Sequence, residues 1–232
     1  MSDQQRAELN ITDYKTLSFD CYGTLIDWER GILGYLQPLL ESYHVHVIDE
    51  WLLEFFAEHE PVLQAQGGRY REILAKILKQ LGNRLGFKPN EAKLTGFASS
   101  IEQWQPFPDT VSALASLREN FTLIALSNID DDMFAISSEQ MQNPFTHIIT
   151  AEQVGVYKPN KKMFKALLKK GQEPILHIAQ SRYHDIVPAT RMGLNTIWIN
   201  RPSLGATRSV DADPTWTFES MAEFAAAWTS AA

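Results

Sequence analysis

At 232 residues, 44% hydrophobic and 21% charged, the chain has the make-up of an ordinary globular protein, either one large domain or a core with a smaller insert. A net charge of −7 argues against a broad nucleic-acid footprint, which needs a basic face, but not against a small anionic substrate. One cysteine, Cys21, excludes an intramolecular disulfide, and neither the polar opening segment nor any apolar run resembles a secretion signal or a membrane span; the expectation is a soluble, cytoplasmic chain without nucleic-acid or membrane partners.

The first apolar run, Lys15–Tyr22, reads as a buried strand that delivers Asp20 into a turn closed by Gly23 and Thr24. Helical periodicity then covers Gly31–Tyr43, Asp49–Gln64, Tyr70–Leu81 and Asn90–Trp104, with breaks at His44–Val47, Gln66–Gly68 and Gly82–Pro89. This interval before the next strand is far longer than one crossover requires, so residues 28–104 are expected to form an inserted helical cap. Pro106 and Pro108 mark the return to a core made of residues 1–27 and 105–232. Strands at Thr122–Ser127, His147–Ala151, Ile175–Gln180, Thr196–Asn200 and around Trp216–Phe218 alternate with helices at Thr110–Glu119, Met133–Met141, Lys161–Lys170, Ile186–Met192 and Ser220–Trp228. That alternation predicts an α/β fold with a doubly wound, Rossmann-like parallel sheet.

The residues with chemical potential gather at predicted strand ends. Asp20 alone reads equally well as a strand-end turn cap. Ser127 and Asn128 can donate to an anion or cap the next helix. Lys158, just before Pro159, is either solvated surface or a partner for Asp20. Ser181, Arg182, Tyr183, His184 and Asp185 follow the fourth strand, where Asp185 also suits a helix N-terminus. Arg182 can bind a carboxylate bidentately or face solvent, and His184 is a candidate base.

Together, Phe19-Asp20-x-Tyr22-Gly23-Thr24-Leu25, Ser127-Asn128, Lys158-Pro159 and Asp185 resemble the four motifs of the haloacid dehalogenase superfamily in order. Tyr22 stands where the superfamily's phosphatases carry a second, proton-donating Asp, so the closer resemblance is to the L-2-haloacid dehalogenase branch. Gln180 likewise replaces one of the two acids in the phosphatases' fourth motif. The resemblance implies a metal-free, cofactor-free hydrolase of short 2-haloacids. Asp20 would attack the halogen-bearing carbon, Lys158 would keep it ionised and Asp185 would position the water. It implies substrate contacts by Tyr22, Thr24, Ser127, Asn128, Ser181 and Arg182. Relatives of this kind are often dimers, so a homodimer is an open expectation.

The cap departs from that branch. The helix expected to carry a halide-binding arginine, Trp51–Gln64, contains none; the nearest are Arg30, Arg69 and Arg71, and the Tyr70-Arg71 pair is expected to face the substrate. Two alternatives accompany the dehalogenase reading. One is a Mg²⁺-dependent phosphatase of the same fold acting on a small phosphate ester. The other is a catalytically idle relative that only binds.

Overall fold

The computed structural model describes residues 13–206 and 210–229; the polar opening segment, residues 1–12, lies outside them. Strands β1 (Thr16–Phe19), β2 (Thr122–Ser127), β3 (His147–Thr150), β4 (Ile175–Ala179), β5 (Asn195–Ile199) and β6 (Trp216–Phe218) form one sheet in the order β3-β2-β1-β4-β5-β6. Every pairing is parallel. Successive side chains of β2 point to opposite faces. Leu123 and Ala125 join the cluster that includes Leu117, Phe134 and Phe224, whereas Ile124 and Leu126 pack with Met163, Phe164 and Leu167. The sheet is therefore covered on both sides, which is why its strands read as uninterrupted apolar runs.

Helices α1 (Trp28–Glu41), α2 (Asp49–Ala65), α3 (Tyr70–Leu85) and α4 (Glu91–Ser99), with a 3₁₀ turn at Ser100–Gln103, occupy the interval between β1 and α5 (Thr110–Leu117). The chain leaves and returns side by side: the Asp27 amide donates to Gln105 O and the Phe107 amide to Leu25 O, both at 2.9 Å. Then come α6 (Asp131–Gln140), the single turn α7 (Ala151–Val154), α8 (Lys161–Lys170), α9 (Val187–Arg191) and α10 (Met221–Thr229).

Some boundaries differ from the sequence expectation. The first helix begins at Trp28, three residues early, because Asp27 caps it through the Arg30 amide. The third runs through Gly82 to Leu85 and stops at Gly86, whose φ of 80° suits a left-handed helix end. Gly82 stays helical because only a glycine leaves room for Phe87 O, 2.7 Å from where a Cβ would sit. The expected 90–104 helix breaks into α4 and the 3₁₀ turn, and the residues before α9 wind as a π turn, Arg182–Ile186.

Asp130, buried just ahead of α6, reaches across to the start of α3. Its carboxylate accepts the Tyr70 amide at 2.8 Å and the Arg71 amide at 3.2 Å. These are orphan donors of a helix N-terminus that has no cap of its own, so a residue 60 positions away supplies it. Arg69 and Arg71 flank the same carboxylate at 3.5 and 3.7 Å and bind Asp132 more closely, at 3.1 and 2.7 Å. Asp130→Ala should lower stability by about 2 kcal/mol in chemical denaturation, since it strands two helix-end donors opposite two arginines.

Candidate active site

β1 ends at Phe19, and Asp20 follows at the carboxyl edge of the sheet, between β2 and β4, where the strand order reverses direction. The next turn is wound tightly: the Leu25 and Ile26 amides donate to Cys21 O at 2.7 and 2.9 Å. Gly23 permits it, with φ of 94° and Trp28 Nε1 only 3.1 Å from the position of a Cβ. Arg201 fastens the turn from outside by donating to Thr24 O at 2.8 Å, its guanidinium also held by Asp109.

Lys158 is 1% exposed, and its ammonium is fully hydrogen-bonded. Nζ donates to Asp20 Oδ1 at 2.8 Å, Asp185 Oδ1 at 2.7 Å and Leu126 O at 2.8 Å, which uses all three protons. Burial disfavours its charge, but the two carboxylates prevail and raise its pKa above the ordinary lysine value. Asn128 holds the backbone of Lys158, accepting its N–H at 2.6 Å and donating to its C=O at 3.1 Å.

The two carboxylates are in unlike surroundings. Burial pushes Asp20 above its ordinary pKa; Lys158 opposes this and the Asp185 charge adds to it. Its Oδ2 accepts from Thr24 at 2.6 Å, and the Thr24 hydroxyl in turn accepts the Gln180 amide. Burial acts against the charge of Asp185 too, but Lys158 and His177 outweigh it and hold this carboxyl below the usual range. His177, inside β4, bridges Asp185 Oδ1 at 3.0 Å and the Ser18 hydroxyl at 2.8 Å. Asp185 Oδ2 is buried without a partner.

A cavity of about 40 Å³ opens on this cluster, room for about three waters. Asp20, Tyr22, Asn128, Lys158, Ser181 and Asp185, all expected at the site from sequence, lie on its wall. Thr24 acts one step behind, through Asp20. Ser127 is fully buried with its Oγ unpartnered and adjoins Cys21, whose thiol pKa burial raises well above normal. Arg182 is elsewhere: its guanidinium stacks over Trp198, 4.7 Å from the ring centre, and takes no part in the wall. Tyr22 turns its phenol to share a 2.8 Å hydrogen bond with Ser137, and burial raises its pKa. His184 lines the wall with Nδ1 at 3.2 Å from Ser181 Oγ and Nε2 buried and unpartnered; burial depresses its pKa to about 4, so it is neutral near pH 7.

The opposite wall comes from helices before β2: Trp28, Glu60, Gln64 and Tyr70. Of the pair expected to face the substrate, Tyr70 lines this cavity and Arg71 does not. Glu60 was not foreseen, although the sequence carries a signal. It lies four residues after Phe56 and three before Leu63, on the buried stripe of α2, where a charged residue is out of place.

A Mg²⁺ ion, as a superfamily phosphatase would require, finds a poor donor set. Asp20 and Asp185 each give an oxygen to Lys158, and Gln180 lies outside the cavity wall, its Oε1 3.3 Å from the Cβ position of Gly23. Among the described residues no group of three or more His, Cys, Asp or Glu side chains is arranged to hold a metal.

Burial pushes the Glu60 carboxyl up to about 7, with the Asp20 charge adding and the Tyr70 hydroxyl opposing. A carboxyl raised in the folded state contributes stability below its unfolded pKa and loses it as pH climbs through the folded value. Glu60→Gln should therefore gain on the wild type by about 3 kcal/mol between roughly pH 4 and pH 8, read from denaturation curves at each pH.

No helix among the described residues is long and apolar enough to cross a membrane. The chain is 28% identical over 216 residues to the (S)-2-haloacid dehalogenase of Pseudomonas putida, covering 88% of this chain and 92% of that one. It is 27% identical over 222 residues to the pyrimidine 5'-nucleotidase YjjG of Escherichia coli K12, covering 88% and 93%. Its fold superimposes on the L-2-haloacid dehalogenase of Xanthobacter autotrophicus with chloropropionic acid covalently bound, with a TM-score of 0.79, 17% identity, and 94% and 100% coverage. Residues 14–178 match the family model for haloacid dehalogenase-like hydrolases, and the chain belongs to that family of hydrolases.

Proposed function

We propose that the protein hydrolyses the carbon–halogen bond of a short 2-haloalkanoic acid without a metal, through an ester on Asp20, beneath a cap made of residues 28–104. The observation that carries this reading is the state of Tyr22. A phosphatase of this fold needs an acid two residues after the nucleophile to protonate its leaving group. Here that position is a phenol tied to Ser137, with its pKa raised. A halide leaves without a proton, so the absence of an acid there costs nothing.

Asp20, kept charged by Lys158, displaces halide in line from the substrate carbon and becomes an ester. The unpartnered Oδ2 of Asp185 is the acceptor for the proton of the hydrolytic water, which attacks the Asp20 carbonyl carbon and releases the hydroxy acid. The cavity of about 40 Å³ suits a substrate of a few heavy atoms.

Nucleotide phosphatase chemistry is the second reading, favoured by the likeness to YjjG. A larger cavity of about 550 Å³, lined by Pro61, Gly67, Tyr157 and Tyr183, shares Gln64, Lys158 and His184 with the small one, and has the room a nucleoside would need.

Halide release from 2-chloropropionate and chloroacetate by EDTA-treated protein tests the first reading. Turnover should vanish in Asp20→Asn, with the fold kept. Lys158→Ala should lose at least a hundredfold in rate near pH 7, with the acidic limb of the pH–rate profile moved upward as the rise in the Asp20 pKa goes unopposed. Phosphate release from a pyrimidine 5'-monophosphate only when Mg²⁺ is added, with no halide released, would transfer the assignment to the second reading.

A further inference from the structure

Among the described residues lining it, the small cavity offers an anion no free cation. All three Lys158 protons are taken, Arg69 and Arg71 are engaged by Asp130 and Asp132, and Arg182 stacks on Trp198. Around the reacting carbon stand three carboxyl groups, Asp20, Asp185 and Glu60, and one ammonium. If all three were ionised, a substrate carboxylate would be the fourth negative charge in a largely buried cavity.

We infer that Glu60 receives the substrate carboxylate as a neutral carboxylic acid, donating its proton from Oε2. The inference rests on the reading of the substrate as a short carboxylic acid.

The geometry of Glu60 fits the donor role. Tyr70 donates its hydroxyl hydrogen to Oε1 at 2.6 Å, which makes Oε1 the carbonyl-like oxygen and leaves the acid proton to Oε2. Among the described residues Oε2 has no hydrogen-bond partner. Tyr70 is itself held from the sheet side, its amide bound to Asp130, so the pair is placed by the core and not by α2 alone. A carboxylic acid kept neutral by an apolar site so that it can donate to an anion has a precedent in the oxyanion hole of ketosteroid isomerase.

Ionisable groups face Glu60 from every neighbouring element. From the core come Asp20, Lys158, His184 and Asp185, together with Tyr22 and Tyr157; α3 contributes Tyr70. The three tyrosines and Lys158 are raised, Asp185 is lowered and His184 is depressed to about 4. Asp20 is raised by burial, with Lys158 opposing. Glu60 itself sits at about 7, and an arriving anion raises it further, so anion binding at alkaline pH takes up a proton.

The test is calorimetric titration of the wild type, Glu60→Gln and Glu60→Ala with propionate, which cannot react, from about pH 5.5 to 8.5 in buffers of differing ionisation enthalpy. Wild-type affinity should fall about tenfold per pH unit above pH 7, with close to one proton taken up per propionate at pH 8. Glu60→Gln, whose amide can donate at every pH while Tyr70 still holds Oε1, should bind with nearly constant affinity and no linked proton. Glu60→Ala should bind at least tenfold more weakly than Glu60→Gln throughout. A flat wild-type profile, no propionate binding at all, or a Gln variant as weak as the Ala variant would overturn the inference. Halide release assayed in parallel separates the two proposals. Release with a flat propionate profile removes only the role of Glu60. The expected profile without release from any haloacid removes the dehalogenase reading and leaves Glu60 as a carboxylate receptor.

Discussion

An ammonium ion without water is the constraint to which the site is built. Lys158 is as buried as the aliphatic core, and an uncompensated charge there would be too costly to keep. Its three acceptors come from three different segments: the end of β2, the residue after β1 and the π turn after β4. The sheet brings them together because β1 lies between β2 and β4, with all strand ends pointing the same way. Removing any one acceptor would leave a buried proton unused, so the position of Asp20 is set by long-range topology more than by its own loop. Asn128 completes the arrangement by clamping both polar groups of the Lys158 peptide backbone.

Sharing one ammonium makes two carboxylates inequivalent. Asp20 has a hydrogen bond on each oxygen, from Lys158 and from Thr24, and touches the cavity. Asp185 receives both Lys158 and His177 on one oxygen and keeps the other bare. The first arrangement orients a nucleophile; the second leaves a lone pair that only a water or a substrate can satisfy. The opposite directions of their pKa shifts fit this difference: Lys158 and His177 together outweigh burial at Asp185, whereas at Asp20 burial prevails over Lys158 and Thr24 and the Asp185 charge adds to it.

The sheet was legible because its central strands β1, β2 and β4 are buried almost throughout, so each reads as a largely apolar run. The residues gathered by those strand ends were legible for the same reason. The place of Arg182 was not legible: it opens the π turn and stacks on Trp198, which no local periodicity announces. The helical interval was legible as helices but not as a wall. Which face of α2 meets the cavity depends on packing against α3, and the anchor of α3 is Asp130, far along the chain. Tyr70 was found by its glycine-rich lead. Glu60 was passed over, although a carboxylate on an apolar stripe is the pattern that marks a buried group with work to do.

The same long-range anchor bears on how deeply Glu60 is buried. The start of α3 is tied to the core by Asp130, by Arg69 and Arg71 on Asp132, and by the Tyr157 hydroxyl on Gly68 O at 2.8 Å. Loosening them admits water to Glu60 and withdraws the burial that raises its carboxyl. Burial therefore favours the neutral acid, and by linkage a proton on Glu60 favours the buried arrangement to the same degree that burial favours the proton. A bound carboxylate would act in the same direction, because its charge would also hold the proton on Glu60. Burial, protonation and anion binding would then be linked, and the carboxyl that looks out of place on α2 is the group through which they would meet.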